Sequence, residues 1–338
     1  MTCKTIWTIG LAFGLAASAS AYAGPFSADY IFGDSLSDRG NLADALGTNF
    51  PNPPFYHDSF TNGPVAVEVM AEKLGLTADA SLFPTGFADT RGLGLTPGTN
   101  FAVAGATAAL SNGVPGLNLP QQVAAYLAQA GGAASSSALY TVFIGGNDVR
   151  TAAHQGNAAL VPNGVASELA AVNALIAAGA KNILVVNVPD VGAIPEFKIG
   201  YPSQDAAATA YSIAYNSQLA AGLAGIIAGN PGDNIKLFDL FSFSNQLVAN
   251  IGSLGITDTT NPCYTNTSVT SATAATSAAC GPNAVNIGQL QYWDAIHPTA
   301  KVHQAYGQAL YDFEVPEPAS AAVLGLGLAA LGWVRRRR

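Results

Sequence analysis

The chain has 338 residues, 49% of them hydrophobic, enough for a sizeable buried core in one large domain or two ordinary ones. Only 10% are charged, and the net charge is −8. No basic patch occurs outside the two ends, which excludes nucleic acid as an expected partner, and the acidity does not point to an anionic substrate.

In chain order, the first segment reads as an address label. Lys4 precedes an apolar run from Ile6 to Ala17, and "SASAYAG" follows, with Ala21 and Ala23 in the small-x-small spacing of a secretory cleavage site. The expectation is a signal peptide over 1–23 and a mature chain from Gly24. The body, 24–314, has no internal repeat and no composition break, so it reads as one domain. Strand-length apolar runs occur at Tyr30–Phe32, Asn100–Val103, Leu139–Ile144, Ile183–Val188 and Ile235–Leu240. Between them lie Ala-rich segments with helical spacing: "PVAVEVMAEKLGL", "LPQQVAAYLAQA", "ASELAAVNALIAAGA" and "AAATAYSIAYNSQLAAGLAGII". Strands alternating with helices predict an α/β fold, a parallel sheet covered on both faces. Residues 84–98 and 258–283 are rich in Gly, Thr and Ser and carry no periodicity.

The second of those stretches contains Cys263. With Cys3 lost in the leader, Cys263 and Cys280 remain, and an even count in an exported chain reads as a disulfide rather than a metal site. It would close "YTNTSVTSATAATSAA", a contribution of up to about 3 kcal/mol in the chain-entropy description. The last segment, 315–338, is "VPEPASAAVLGLGLAALGWVRRRR". Its 17 uncharged residues from Pro318 to Val334 make a short membrane span, and Arg335 to Arg338 would hold the end in the cytoplasm. Loss of both ends would remove Lys4 and four arginines, leaving a distinctly acidic, soluble chain.

In parallel sheets, ligands bind outside the carboxyl ends of the strands. After the first run comes "IFGDSLSDRGN", whose Ser35 is either a turn residue or a nucleophile. After the second, "FAVAGATA" offers Gly105, where a backbone N–H can approach a ligand. After the third, "VFIGGNDV" delivers Asn147. After the fifth and a long excursion, "YWDAIHPTA" supplies Asp294 and His297. These are the parts for acyl transfer. A neutral imidazole, His297, can take the serine proton, and Asp294 three residues upstream can fix its tautomer. The N–H groups of Ser35 and Gly105 and the Asn147 amide would form the oxyanion hole. Asp34 is expected to serve the turn and Asp38 to cap the next helix. His57, His154 and His303 read as solvated surface histidines. Segments 41–62, 84–98 and 148–164 read as the loops that set substrate preference.

"GDSLSD", the Gly of "NFAVAGA", "GGND" and "WDAIHPT" together resemble the four blocks of the GDSL, or SGNH, hydrolase family, over most of residues 28–313. "FTNGPVAVEVMAEKLGL", "VVNVPDVGAIP" and "AYNSQLAAGLA" look like its lipase/esterase and acyltransferase-like branch. The resemblance implies a flavodoxin-like α/β/α sandwich and a serine ester hydrolase without metal or cofactor. It implies Ser35 as nucleophile, Asp294 and His297 completing the triad, and Gly105 and Asn147 as oxyanion donors. The substrate would be a lipid, a small acyl ester or an acylated sugar. A carbohydrate deacetylase or acyltransferase would use the same machinery. A non-catalytic, polysaccharide-binding surface protein is the reading from another class, and the intact set of five residues argues against it. The C-terminal "VPEP", apolar stretch and arginine cluster resemble the PEP-CTERM sorting tag. That implies export and sorting machinery as partners, transient membrane contact, cleavage of the tag, and a secreted, cell-surface or extracellular-matrix location.

Overall fold

The sheet forms from runs that are apolar on both faces: β1 (Asp29–Gly33), β2 (Leu139–Phe143), β3 (Asn182–Val186) and β4 (Asn234–Phe238). They pair in parallel in the order β1-β2-β3-β4, with Ile31 opposite Thr141, Thr141 opposite Leu184 and Leu184 opposite Lys236. Alternate side chains point to opposite faces. Phe32, Val142 and Val185 pack against α3 (Leu119–Gln129), α4 (Gly146–Gln155), α5 (Leu160–Ala178) and α6 (Asp205–Gly229). Ile31, Phe143 and Leu184 pack against α2 (Ala66–Lys73), α7 (Leu240–Ala249) and α8 (Ala300–Glu314). The result is the expected three-layer α/β/α sandwich, in a computed structural model whose described residues are 24–51, 55–109, 117–264 and 287–315. The expected leader (1–23), Cys280 and the sorting segment from 316 onward lie outside the described residues.

The second expected strand differs from the rest. Residues 99–103 run beside β1, with Ile31 N–H donating to Thr99 O (3.1 Å), Phe101 N–H to Ile31 O (2.7 Å) and Val103 N–H to Gly33 O (3.1 Å). Along their outer edge, however, side-chain amides take part. Asn41 Nδ2 donates to the carbonyls of Asn100 and Ala102 (2.8 Å each), and Ala102 N–H donates to Asn100 Oδ1 (2.9 Å). The segment is therefore an edge run, paired outward at Asn100 to the backbone of 79–81 (Asn100 N–H to Asp79 O, 2.9 Å; Ser81 N–H to Asn100 O, 2.7 Å) and held further along by the two amides. Counted second in the chain, it gives the sheet order 2-1-3-4-5, the flavodoxin-like arrangement.

Two expectations need correction. Segment 148–164 is mostly helical, because α4 ends only at Gln155 and α5 starts at Leu160. Pro162 is tolerated there, since it falls in the first turn of α5, where its missing N–H is not needed. His303 is not a surface residue: it is 1% exposed and lies on the face of α8 that packs on α2. Its Nδ1 accepts the N–H of Ala66 (3.1 Å), the first residue of α2. Val65, at the N-cap, has no side-chain oxygen to do this. His57 is exposed as expected, while His154 is half-buried between Phe197 and Tyr201.

Burial, and secondarily the nearby charge of His297, pushes His303 down from 6.5 to about 3. The folded chain holds the ring neutral, so unfolding takes up a proton at any pH between those values. The contribution is full above the unfolded value and is lost as pH falls. Stability should drop by about 2–3 kcal/mol from about pH 6.5 to about 4.5 on this account. The buried Glu168 carboxyl, pushed up to about 8 by burial, works in the opposite sense, losing stability as pH rises. The difference in urea midpoint between the parent and His303→Gln should therefore shrink steadily on acidification. A constant difference would rule out the buried neutral imidazole as its source.

Candidate active site

The turn that leaves β1 is built on Asp34. Its carbonyl accepts the N–H groups of Ser37 (3.1 Å) and Asp38 (2.9 Å), and its Oδ1 accepts that of Leu36 (3.0 Å). This lifts Ser35 to the carboxyl edge of the sheet. Asp38 does more than the expected capping. Its Oδ1 accepts Gly40 and Asn41 N–H (2.9 and 2.8 Å), while Oδ2 accepts Leu42 (3.3 Å) and, across the site, Ala104 (2.8 Å). One carboxylate thus starts α1 (Asn41–Leu46) and holds the second loop against the first. Burial pushes both carboxyls up to about 6, opposed at Asp38 by its four backbone donors and at Asp34 by Leu36 N–H, His297 and Arg150.

Asp294 and His297 arrive from outside the main sheet. A small two-stranded sheet, β5 (Asp258–Pro262) with β6 (Leu290–Tyr292), leads into a closed loop in which Trp293 N–H donates to His297 O (2.8 Å). Asp294 Oδ1 accepts the N–H of Ile296 (2.8 Å) and of His297 (2.7 Å), which turns the carboxylate under the imidazole. His297 Nδ1 lies 2.8 Å from Asp294 Oδ2, and Nε2 lies 2.7 Å from Ser35 Oγ. All three residues are buried, Ser35 being 8% exposed at the surface of a cavity. A carboxylate against Nδ1 favours the tautomer with its proton there, leaving Nε2 to accept from the hydroxyl.

On either side of Gly105 in "AVAGA" the backbone donors are committed, Ala104 N–H to Asp38 and Ala106 N–H to Val103 O (3.1 Å). Among the described residues the N–H groups of Gly105 and Ser35 have no partner. Gly105 has φ +80°, a left-handed conformation that glycine adopts without strain. Asn147 sits in the first turn of α4, which opens at Gly145. That residue has φ +106°, and a Cβ there would lie 2.6 Å from the Tyr215 ring. Asn147 Nδ2 donates to Ala106 O (2.9 Å), leaving a second N–H. Three residues escaped the sequence reading. Asp148 accepts the N–H groups of Ala108 (2.7 Å) and Ala109 (3.1 Å), and Arg150 and Glu196 form a pair behind Asn147. The only sequence signal for Arg150 is its i,i+3 spacing from Asn147 on a helix.

A cavity of about 80 Å³ opens beside Ser35, its wall mainly apolar and including Phe143, Val188, Ile194, Tyr292 and Ile296. Of the three segments expected to set substrate preference, 148–164 lines this cavity through Arg150, while Phe60 of segment 41–62 lies against the His297 ring, with centroids 5.3 Å apart.

Residues 30–310 match the model of the GDSL-like lipase/acylhydrolase family. The chain belongs to that family. This GDSL protein is an ester-hydrolysing enzyme, and residues 314–338 match the PEP-CTERM protein-sorting motif. It is 26% identical over 329 residues to a phosphatidylcholine-sterol acyltransferase of Aeromonas hydrophila, covering 85% of this chain and 90% of that one. It is 32% identical over 192 residues to Lipase 1 of Photorhabdus luminescens, covering 55% of this chain but only 25% of that protein. A solved acetyl xylan esterase, AlAXEase, superposes with a TM-score of 0.40 at 13% identity, covering 85% of this chain and all of that one.

Asp38→Ala in the GDSL enzyme should release the buried donors at α1 and at Ala104 together. We expect a loss of about 2–3 kcal/mol by urea denaturation and a lower kcat. An unchanged midpoint would show that Asp38 does not clamp the two loops.

Proposed function

We propose that this enzyme cleaves carboxylic esters through an acyl-enzyme, with Ser35 as nucleophile, His297 as base and Asp294 as orienter. The observation that carries the proposal is the unbroken hydrogen-bond chain from Asp294 Oδ2 through His297 to Ser35 Oγ, at 2.8 and 2.7 Å. Ser35 Oγ bonds to the ester carbonyl carbon as its proton passes to Nε2. The carbonyl oxygen becomes the oxyanion, for which the N–H groups of Ser35 and Gly105 and the Asn147 amide are donors. Collapse breaks the ester C–O bond, and the alcohol leaves with the proton from His297. Water, deprotonated by the same imidazole, then releases the acid and restores the serine. Asp294 stabilises the imidazolium without taking its proton.

Export is part of the same proposal. Residues 1–23 act as a cleaved leader, 24–314 as the hydrolase, and 315–338 as a sorting segment with transient membrane contact. The PEP-CTERM match supports this. The mature enzyme is then secreted or held at the cell surface or extracellular matrix, with Cys263 joined to Cys280. Cys263 is buried beside Tyr264 and Trp293, a setting that suits a structural bridge. The likeness to an acyltransferase over most of both chains favours a second reading, in which an alcohol replaces water in deacylation.

Ser35→Ala should remove hydrolysis of nitrophenyl esters and labelling by a fluorophosphonate while leaving the circular dichroism unchanged; retained labelling would defeat the nucleophile assignment. Asp294→Asn should reduce kcat far more than Asp34→Asn, by about 10⁴-fold in the comparable case, and the reverse order would reassign the acid. In the parent, kcat/KM should rise with pH, because an imidazole serves as a general base only in its neutral form. A flat profile from about pH 5 to about 9 contradicts a histidine base. Adding glycerol to the assay distinguishes the second reading, because an acyltransferase would yield acylated glycerol at the expense of free acid.

A further inference from the structure

Asn147 can serve an oxyanion only if its amide is held with nitrogen, not oxygen, toward the reacting carbonyl. Two neighbours impose that orientation. The Ala106 carbonyl can only accept, so Nδ2 faces it at 2.9 Å. The guanidinium of Arg150 can only donate, so Oδ1 faces its Nη1, also at 2.9 Å. Arg150 sits one turn along α4 from Asn147 and is itself clamped. Its Nε donates to Glu196 Oε2 (2.7 Å) and its Nη2 to Glu196 Oε1 (2.8 Å), a planar fork on a carboxylate. Glu196 N–H in turn donates to Ala295 O (2.8 Å), inside the loop that carries Asp294 and His297.

We propose that Arg150 is a positioning residue for the reaction, fixing and polarising the Asn147 amide, while its pair with Glu196 ties that amide to the Asp294–His297 loop. The inference rests on the assignment of Ser35 and Asn147 made above. A charge-assisted bond to Oδ1 draws electron density from the amide and makes its remaining N–H a stronger donor when the oxyanion forms. The Glu196 partner keeps the cation from being an uncompensated charge at the cavity wall. Burial raises the Glu196 carboxyl, but Arg150, with a smaller contribution from His154, outweighs it and holds the acid below its ordinary range. The pair is therefore ionised at neutral pH. Lysine could not replace the arginine, because the contacts use three nitrogens of one rigid plane.

The test is a mutant cycle on the purified full chain with nitrophenyl acetate. Asn147→Ala should lower kcat by about 10²-fold or more. Arg150→Gln should lower it by about tenfold or more with KM nearly unchanged, and Arg150→Lys should recover only part. In the Asn147→Ala background, Arg150→Gln should have almost no further effect, because its route to the reaction is gone. Glu196→Gln, which keeps the shape of the pair, should show a smaller loss that also disappears in that background; it carries the test if Arg150→Gln does not fold. Equal losses in both backgrounds, or no loss in the parent background, would overturn the proposal. Ser35→Ala is assayed alongside: if it hydrolyses the ester at the parental rate, the underlying assignment fails instead.

Discussion

Parallel pairing is the constraint on which the rest of the structure depends. Residues 99–103, β1, β2 and β3 all point the same way, so the residues that follow each strand gather along one edge. Ser35, Gly105 and Asn147 are thereby brought to one edge, where the Asp38 carboxylate and the Asn147 amide fix the loops against one another. The pairing is stable because both faces are buried, with Phe32, Val142 and Val185 under one helical layer and Ile31, Phe143 and Leu184 under the other.

The loop carrying Asp294 and His297 has no such guarantee, since it follows an edge sheet of two short strands. Other contacts seat it: Glu196 N–H on Ala295 O, Thr61 Oγ1 on Pro298 O (2.9 Å), and Ala300 N–H on Asn62 Oδ1 (2.7 Å). The 2.7 Å contact between His297 and Ser35 is therefore the product of several elements packed around the loop.

Four buried carboxylates recur as backbone clamps at this edge. Asp34, Asp38, Asp148 and Asp294 each accept two or more backbone N–H groups or hold a turn that does. Tight loops leave main-chain donors without ladder partners, and a carboxylate has acceptor capacity to satisfy several at once. Only Asp294 also reaches an imidazole. The acid next to Ser35 in sequence is thus occupied with its own turn, and the one 259 positions on meets the histidine.

Fold class, five of the eight described helices (α1, α2, α3, α5 and α6) and the five runs of the main sheet could be read directly from the sequence, because apolar periodicity and strand length are local properties; α4, α7 and α8 were not. The candidate site residues were readable too, since each lies just after an apolar run or inside a short local motif. Partnership across the chain was not local. That residues 99–103 form an edge capped by Asn41, that His303 caps α2 from inside the core, and that Arg150 and Glu196 stand behind Asn147 depend on helices and loops brought together only by packing. Identical residue types on a surface would carry the same local pattern. What the sequence determined by itself was therefore the order of elements and the chemistry at the end of each. Which acid faces the imidazole, which backbone N–H groups stay uncommitted and what holds the amide in place were decided by tertiary structure, because each depends on which groups burial leaves within hydrogen-bond reach.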